Sequence, residues 1–137
     1  MTAHEAILAN SKLVIEALGP LSGLGTQFGY NRESLVWIEG FIERQRVRSD
    51  VKAEGHGRMI QILASFLGEC IIHIYGGEWR EEGGTWGVFF DASNAVFPFS
   101  KVSKQFANGR ERGDSILSMI DLIGPVFLKS PRSDLPS

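Results

Sequence analysis

Two ionisable residues four positions apart, Glu69 and His73, are the strongest candidates for chemistry in this sequence. Their spacing places both side chains on one face of a helix, where they can touch. A carboxylate beside an imidazole can act as a general base with its orienting partner, or supply half of a metal site. The ordinary alternative is a mutually satisfied pair at the edge of the core. That alternative is favoured, because a buried charge needs a partner whatever its function.

A metal site is not predicted, because two ligands are too few and His4 and His56 stand at no fixed spacing from the pair. The sequence also lacks GxxxxGK(S/T), HExxH and GxSxG motifs. The glycines of Gly23–Gly29 come close to a dinucleotide-binding loop, but they follow a predicted helix where that loop should follow a strand. We therefore expect no cofactor and leave the enzyme question open, with a non-catalytic protein favoured.

Cys70 is the only cysteine, so it cannot form an intramolecular disulfide. It stands three residues before His73, where a nucleophile with a neighbouring base is one interpretation. Its position on the apolar face of the same predicted helix favours a small core residue instead.

A second candidate is an aromatic and acidic edge formed by Tyr75, Glu78, Trp79, Glu81 and Trp86. Two tryptophans on adjacent strands can line a ligand groove or a protein interface. They can equally close the core beneath the preceding helix, and this interpretation is favoured. Trp79 is expected to expose its edge, because it starts an outer strand.

The charge balance makes nucleic acid an unlikely partner. Fourteen Lys and Arg stand against sixteen Asp and Glu, for a net charge of -2, whereas nucleic-acid-binding modules carry a basic excess. A local exception is the run Arg44, Arg46 and Arg48 at the end of a predicted helix. These cations are expected to complement the dipole at that helix end, with a phosphate site as the alternative.

Hydrophobic periodicity predicts one α+β domain: three N-terminal helices, a three-stranded antiparallel meander, then two short C-terminal helices. The domain is expected to span 1–128, with 129–137 as a flexible tail. The third helix is apolar nearly all round in its second half, so it is expected to be central. The first predicted helix is His4–Leu18, stopped by Gly19-Pro20. The next two are Arg32–Arg48 and Arg58–Tyr75, joined by a connection over Ser49–Gly57, and the predicted strands are Glu78–Glu81, Thr85–Phe90 and Ala95–Phe99. Of the two C-terminal helices, one is capped by Ser100 and ends at Phe106, and the other is capped by Asp114 and ended by Gly124-Pro125.

A cytoplasmic protein without a membrane span is expected. The longest apolar run, from Ile60 to Tyr75, is interrupted by four polar residues and falls short of the roughly 18 apolar residues that a span requires. The N-terminus also lacks the basic and apolar regions of a signal peptide.

A set of segments follows in order along the chain: Glu39–Arg46, Leu67–Ile71, Tyr75–Trp79, Trp86–Val88, Asn94–Phe99, Lys101–Gln105 and Asp114–Leu117. Together they resemble a family of small uncharacterised bacterial proteins. The resemblance implies a bacterial cytosolic protein with a helix-then-meander domain, and it carries over no catalytic or ligand residues. Some similarly built small bacterial domains act as toxin-neutralising immunity proteins, which is an analogy of architecture alone.

These observations predict a non-catalytic binding or interaction domain that forms a homodimer or docks another protein. The aromatic-rich meander, the missing catalytic motifs and the mild net charge all favour it. The alternative is a small enzyme or ligand-binding protein that uses Glu69 and His73 in a pocket beside Trp79.

Overall fold

The computed structural model describes residues 1–48 and 56–128, and their elements follow the predicted α+β order. Three helices precede a three-stranded antiparallel sheet, and two further helices follow it. The elements are α1 (Ala3–Ser22), α2 (Arg32–Arg46), α3 (His56–Tyr75), β1 (Glu78–Glu82), β2 (Thr85–Phe89), β3 (Ala95–Val96), α4 (Pro98–Asn108) and α5 (Ile116–Ile123), with 3₁₀ turns at Gly25–Gln27 and Arg110–Arg112 and a π-helical turn at Gly124–Leu128. Most of the predicted Ser49–Gly57 connection, residues 49–55, and the predicted tail 129–137 lie outside the described residues.

The central element of the core is α3. Every residue from Leu63 to Ile71 is buried. The helix packs most extensively against α1 and α4, and it also contacts α2, β2 and α5. The Ser65 hydroxyl within this stretch donates to the Gln61 carbonyl oxygen at 2.8 Å, so the helix satisfies it internally. The other elements are therefore positioned by their contacts with α3.

By length and composition alone α3 could cross a membrane, since its mean hydropathy reaches 1.3. No such span is expected from the sequence, because polar residues interrupt the apolar run of this helix. A buried core helix passes the same test, and half of the tested window is buried inside the protein. The apolar character of α3 is therefore weak evidence both for a membrane span and for a buried core helix.

The sheet has the order β1-β2-β3, so consecutive strands are antiparallel neighbours. Trp79 of β1 pairs with Val88 of β2, which in turn pairs with Val96 of β3. Because paired residues point to the same side of a sheet, this row forms one continuous apolar line that is buried.

The third strand is shorter than predicted because Pro98 begins α4. Proline suits the first turn of a helix, where no intrahelical acceptor awaits its missing amide hydrogen and its fixed φ is already helical. The predictions of a strand to Phe99 and of a cap at Ser100 were therefore wrong. The other strand ends, and the adjoining ends of α2 and α3, differ from prediction by one or two residues.

The Gly19-Pro20 pair does not stop α1, which continues to Ser22 and is capped by Gly23 at φ 78°. Gly19 is buried against the ring of Phe28, and a Cβ there would lie 3.3 Å from Phe28 Cδ1. Pro20 lies inside the helix, which therefore lacks one i→i−4 hydrogen bond, the one that the missing amide hydrogen of proline would donate. The predicted stop was wrong, since the glycine at position 19 allows a close contact and does not end the helix.

The predicted boundaries of the last helix were also wrong. Ser115, not Asp114, is its N-cap, and the Ser115 hydroxyl accepts from the Ser118 amide at 3.1 Å. Asp114 instead accepts a hydrogen bond from Asn108, which holds the pKa of that carboxyl below its ordinary value. At the other end the chain stays helical through Gly124–Leu128. This segment is a π-helical turn, and its wider winding accommodates Pro125, which has no amide hydrogen to donate.

Buried polar contacts tie α2 to the C-terminal helices. Gln105 is fully buried, donates to Glu43 Oε2 at 2.9 Å and accepts from the Ile116 amide at 2.9 Å. Glu39 is buried as well and accepts from Ser115 Oγ at 2.5 Å. Glu39 also accepts from the Leu117 amide at 3.2 Å, so Gln105 and Glu39 each bond an amide in the first turn of α5, where amides have no acceptors within their own helix.

Arg46 serves the C-terminus of a helix other than its own. Its Nε and Nη2 atoms donate to the carbonyl oxygens of Phe106 and Ala107, each at 3.2 Å, in the last turn of α4. Those carbonyls lack intrahelical donors and form the negative end of the α4 dipole. The arginines were predicted to complement the dipole at the end of α2, so for Arg46 the type of interaction was predicted and the helix was not.

Replacing Arg46 with alanine should lower the free energy of unfolding by about 1–2 kcal/mol, because two charge-assisted hydrogen bonds to α4 are lost. Arg112→Ala is the control, since this exposed arginine makes no side-chain hydrogen bond, ion pair or ring contact within the described chain, and its effect should stay within about 0.5 kcal/mol. Urea denaturation measures both. Equal effects of the two variants would contradict the assignment.

Candidate functional site

The indole of Trp79 lies directly on α3, over Gly68. A Cβ at position 68 would lie 2.0 Å from Trp79 Cζ2, so glycine is required there for the ring to reach the helix. The indole Nε1 donates to Glu69 Oε2 at 2.8 Å, and both residues are 8% exposed. We call this arrangement the Trp79 seat. It anchors β1 to the central helix and partners a buried carboxylate.

Glu69 and His73 are therefore not the carboxylate–imidazole pair that the spacing predicted. The Glu69 carboxylate bonds the Trp79 indole, while His73 Nδ1 lies 2.8 Å from the Glu69 backbone oxygen. The His73 ring packs against Tyr30 at 4.5 Å between centroids and is exposed. The i, i+4 spacing places the two residues on one face of the helix, but the Glu69 carboxylate accepts its hydrogen bond from Trp79 of the neighbouring strand.

Cys70 is fully buried in the core. Burial raises the pKa of its thiol well above the usual range. A nucleophilic cysteine needs a stabilised thiolate, so the geometry supports the core interpretation.

Of the two tryptophans of the predicted edge, Trp79 is the more deeply buried. Trp79 was expected to show its edge and is buried, because Gly68 leaves room for it against α3. Trp86 is half-buried, and its ring stacks on that of His4 in the first turn of α1, 6.2 Å between centroids. Glu78 is exposed and pairs with Arg80 at 2.7 Å. Two concave surfaces of the protein are candidate sites. Trp86 alone among the predicted binding residues lines one of them; the others, which line neither, are Glu69, His73, Glu78 and Trp79.

A groove of about 390 Å³ runs between α1, α3 and the second half of α2. Its lining is apolar except for one arginine, and Leu13 remains 38% exposed within it. We call it the helix groove, and its lining residues are Leu13, Val14, Ala17, Leu18, Phe41, Arg58, Met59, Ile62 and Leu63. None of them was a predicted site residue. The available signal was the apolar pair Leu13 and Ala17, four apart and outside the core stripe of α1.

A second concave surface, of about 340 Å³, lies where α1 and α3 meet the β1-β2 hairpin and the start of α4. We call it the Trp86 cleft. Its lining combines apolar side chains with two amides and a hydroxyl, and every lining side chain is uncharged: Ala3, Ala6, Ile7, Asn10, Gln61, Gly84, Thr85, Trp86 and Phe99.

Residues 1–48 and 56–128 contain no group of three or more His, Cys, Asp or Glu side chains that could hold a metal ion. The ionisable residues of the predicted pair are separately engaged, as described above.

The Gly68→Ala variant should lower the free energy of unfolding by about 3 kcal/mol, because the new methyl group displaces the Trp79 ring from its seat. Gly57→Ala is the matched control, since a Cβ at that position of the same helix meets nothing within 4 Å. It should be neutral or stabilising by up to about 1 kcal/mol. Thermal or urea unfolding distinguishes them, and a Gly68→Ala variant as stable as Gly57→Ala would refute the seat.

Comparison with known proteins finds no match to this chain among protein-family models, curated proteins or solved structures.

Proposed function

We propose that this protein is a non-catalytic interaction domain that docks an amphipathic helix of a partner protein in the helix groove. The observation that carries the proposal is the groove itself, an apolar trough of about 390 Å³ bordered by two long helices. Surfaces of this kind receive the apolar side chains that a helix presents at i, i+3 and i+4.

The groove exposes apolar surface that the fold does not need to expose. Leu13 is 38% exposed, and Ala17, one turn further along α1, is exposed as well. Neighbouring Val14 and Leu63 are 1% exposed and already complete the core beneath. Large contiguous apolar patches on a protein surface commonly mark contact sites.

Charge at the groove indicates the chemistry of its partner. Arg58 lines the groove and has no ion-pair partner within the described chain. Phe41, also in the lining, stacks on Trp37, and the Arg44 guanidinium lies 5.6 Å from the Trp37 ring centre. The lining thus contains one cation, that of Arg58, and no carboxylate, and Arg44 is connected to it only through the rings of Trp37 and Phe41. The expected partner helix carries Asp or Glu beside its apolar stripe.

A small enzyme or ligand-binding protein based on Glu69 and His73 is the weaker proposal. The buried Glu69 carboxylate already accepts from Trp79, and His73 lies on the surface beside Tyr30. Neither residue lines the helix groove or the Trp86 cleft.

Photocrosslinking tests the proposal at single-residue precision. Benzoylphenylalanine placed at Ala17, inside the groove, should yield a discrete adduct with another protein when native-host cells are irradiated. The same group at Ala9, an exposed alanine of α1 outside both concave surfaces, should not. The crosslinked peptide of the partner should be an amphipathic helix with acidic residues beside its apolar stripe.

Charge reversal provides the control for the partner's chemistry. Arg58→Glu, combined with the crosslinker at Ala17, should reduce the adduct at least about fivefold, a loss of about 1 kcal/mol. Equal adducts from positions 9 and 17, or adducts between copies of this chain alone, would contradict docking of a partner helix.

A further inference from the structure

We propose that the Trp86 cleft binds a small neutral ligand with several hydroxyl groups and one apolar face, the chemistry of a monosaccharide. This site is separate from the helix groove and goes beyond the proposed protein interaction. Its lining comes from four elements: α1, α3, the hairpin and α4. Junctions of packed elements are common places for ligand sites, and a volume of about 340 Å³ lies in the range of small-molecule sites.

The polar groups of the cleft are available to a ligand. The side chains of Asn10, Gln61 and Thr85 make no hydrogen bond to any residue within 1–48 and 56–128. Other asparagines of the fold differ, because Asn31 and Asn94 bond groups of their own turns. An amide supplies both a donor and an acceptor, and so does a hydroxyl. The three side chains together therefore match a ligand whose groups also donate and accept.

The absence of charge in the cleft lining selects the class of ligand. An ionic ligand would lose part of its hydration there without gaining a counterion. The nearest carboxylate in sequence, Glu5, is engaged in the capping box of α1, where it accepts from the Thr2 amide at 2.7 Å. That hydrogen bond lowers the pKa of Glu5. A neutral ligand carries no charge, so it enters the cleft without the loss of ionic hydration described for an ionic ligand.

Trp86 supplies the apolar surface. Its indole is half-buried, stacks on His4 at an interplanar angle of 17°, and lines the cleft beside Phe99. The face of an indole is a broad rigid surface that loses little conformational entropy on binding. A pyranose ring presents C–H groups on one face and hydroxyls around its edge. The C–H face can stack on the Trp86 indole, and the hydroxyls can bond the side-chain amides of Asn10 and Gln61.

A sugar titration of the full chain, followed by NMR, tests the proposal. The probes are glucose, galactose, mannose and N-acetylglucosamine, with glucuronate and glucosamine as charged counterparts. The indole signal of Trp86 should shift in a saturable way with at least one neutral sugar, with a Kd on the order of 1 mM for a ligand of this size. The signal of Trp79, buried in its seat, should stay in place.

Single substitutions identify the site. Asn10→Ala and Gln61→Ala should each weaken binding at least about fivefold without changing the melting temperature, because neither side chain supports the fold. Arg58→Glu, in the helix groove, should leave sugar binding unchanged, so the two proposals fail independently. No saturable shift with any neutral sugar, tighter binding of the charged counterparts, or unaltered binding by both alanine variants would overturn the assignment.

Discussion

The Trp79 seat is the contact on which the rest of the structure depends. It joins the first strand to the central helix in two ways. The Trp79 ring packs where Gly68 has no side chain, and the indole donates a hydrogen bond to Glu69. Because Trp79 pairs with Val88, which in turn pairs with Val96, fixing β1 also fixes the sheet. The seat thereby holds the hairpin, with Trp86, against α1.

A second set of contacts joins α2 to α4 and α5, and it too uses buried polar groups. Gln105 and Glu39 accept hydrogen bonds from amides in the first turn of α5, and Arg46 donates to carbonyl oxygens in the last turn of α4. Each of these three residues thereby bonds a backbone group that has no hydrogen-bond partner within the helix to which that group belongs. Two concave surfaces lie beside α1: the helix groove on one side of it and the Trp86 cleft at its N-terminal end.

Periodicity was enough to predict the α+β class, the order of the elements and the central place of α3, because a helix apolar on all sides must be buried. It also singled out Glu69 and Trp79, but it paired Glu69 with His73. Spacing along one helix cannot reveal a competing donor on a strand. The roles of Pro98 and Gly19 were missed for a similar reason, since the same residue types that end elements also begin helices and permit close contacts. The helix groove was missed because it exists only where three helices meet.

The most direct test of this account is a double-mutant cycle on Glu69 and Trp79, read as the free energy of unfolding in urea. Glu69→Leu and Trp79→Phe each leave a buried polar group without its partner, whereas the double variant removes both. The account predicts that the double variant is more stable than the sum of the single effects implies, by about 1.5–3 kcal/mol. Additive effects, within about 0.5 kcal/mol, would show that the bond does not hold the sheet to α3 and would contradict the account.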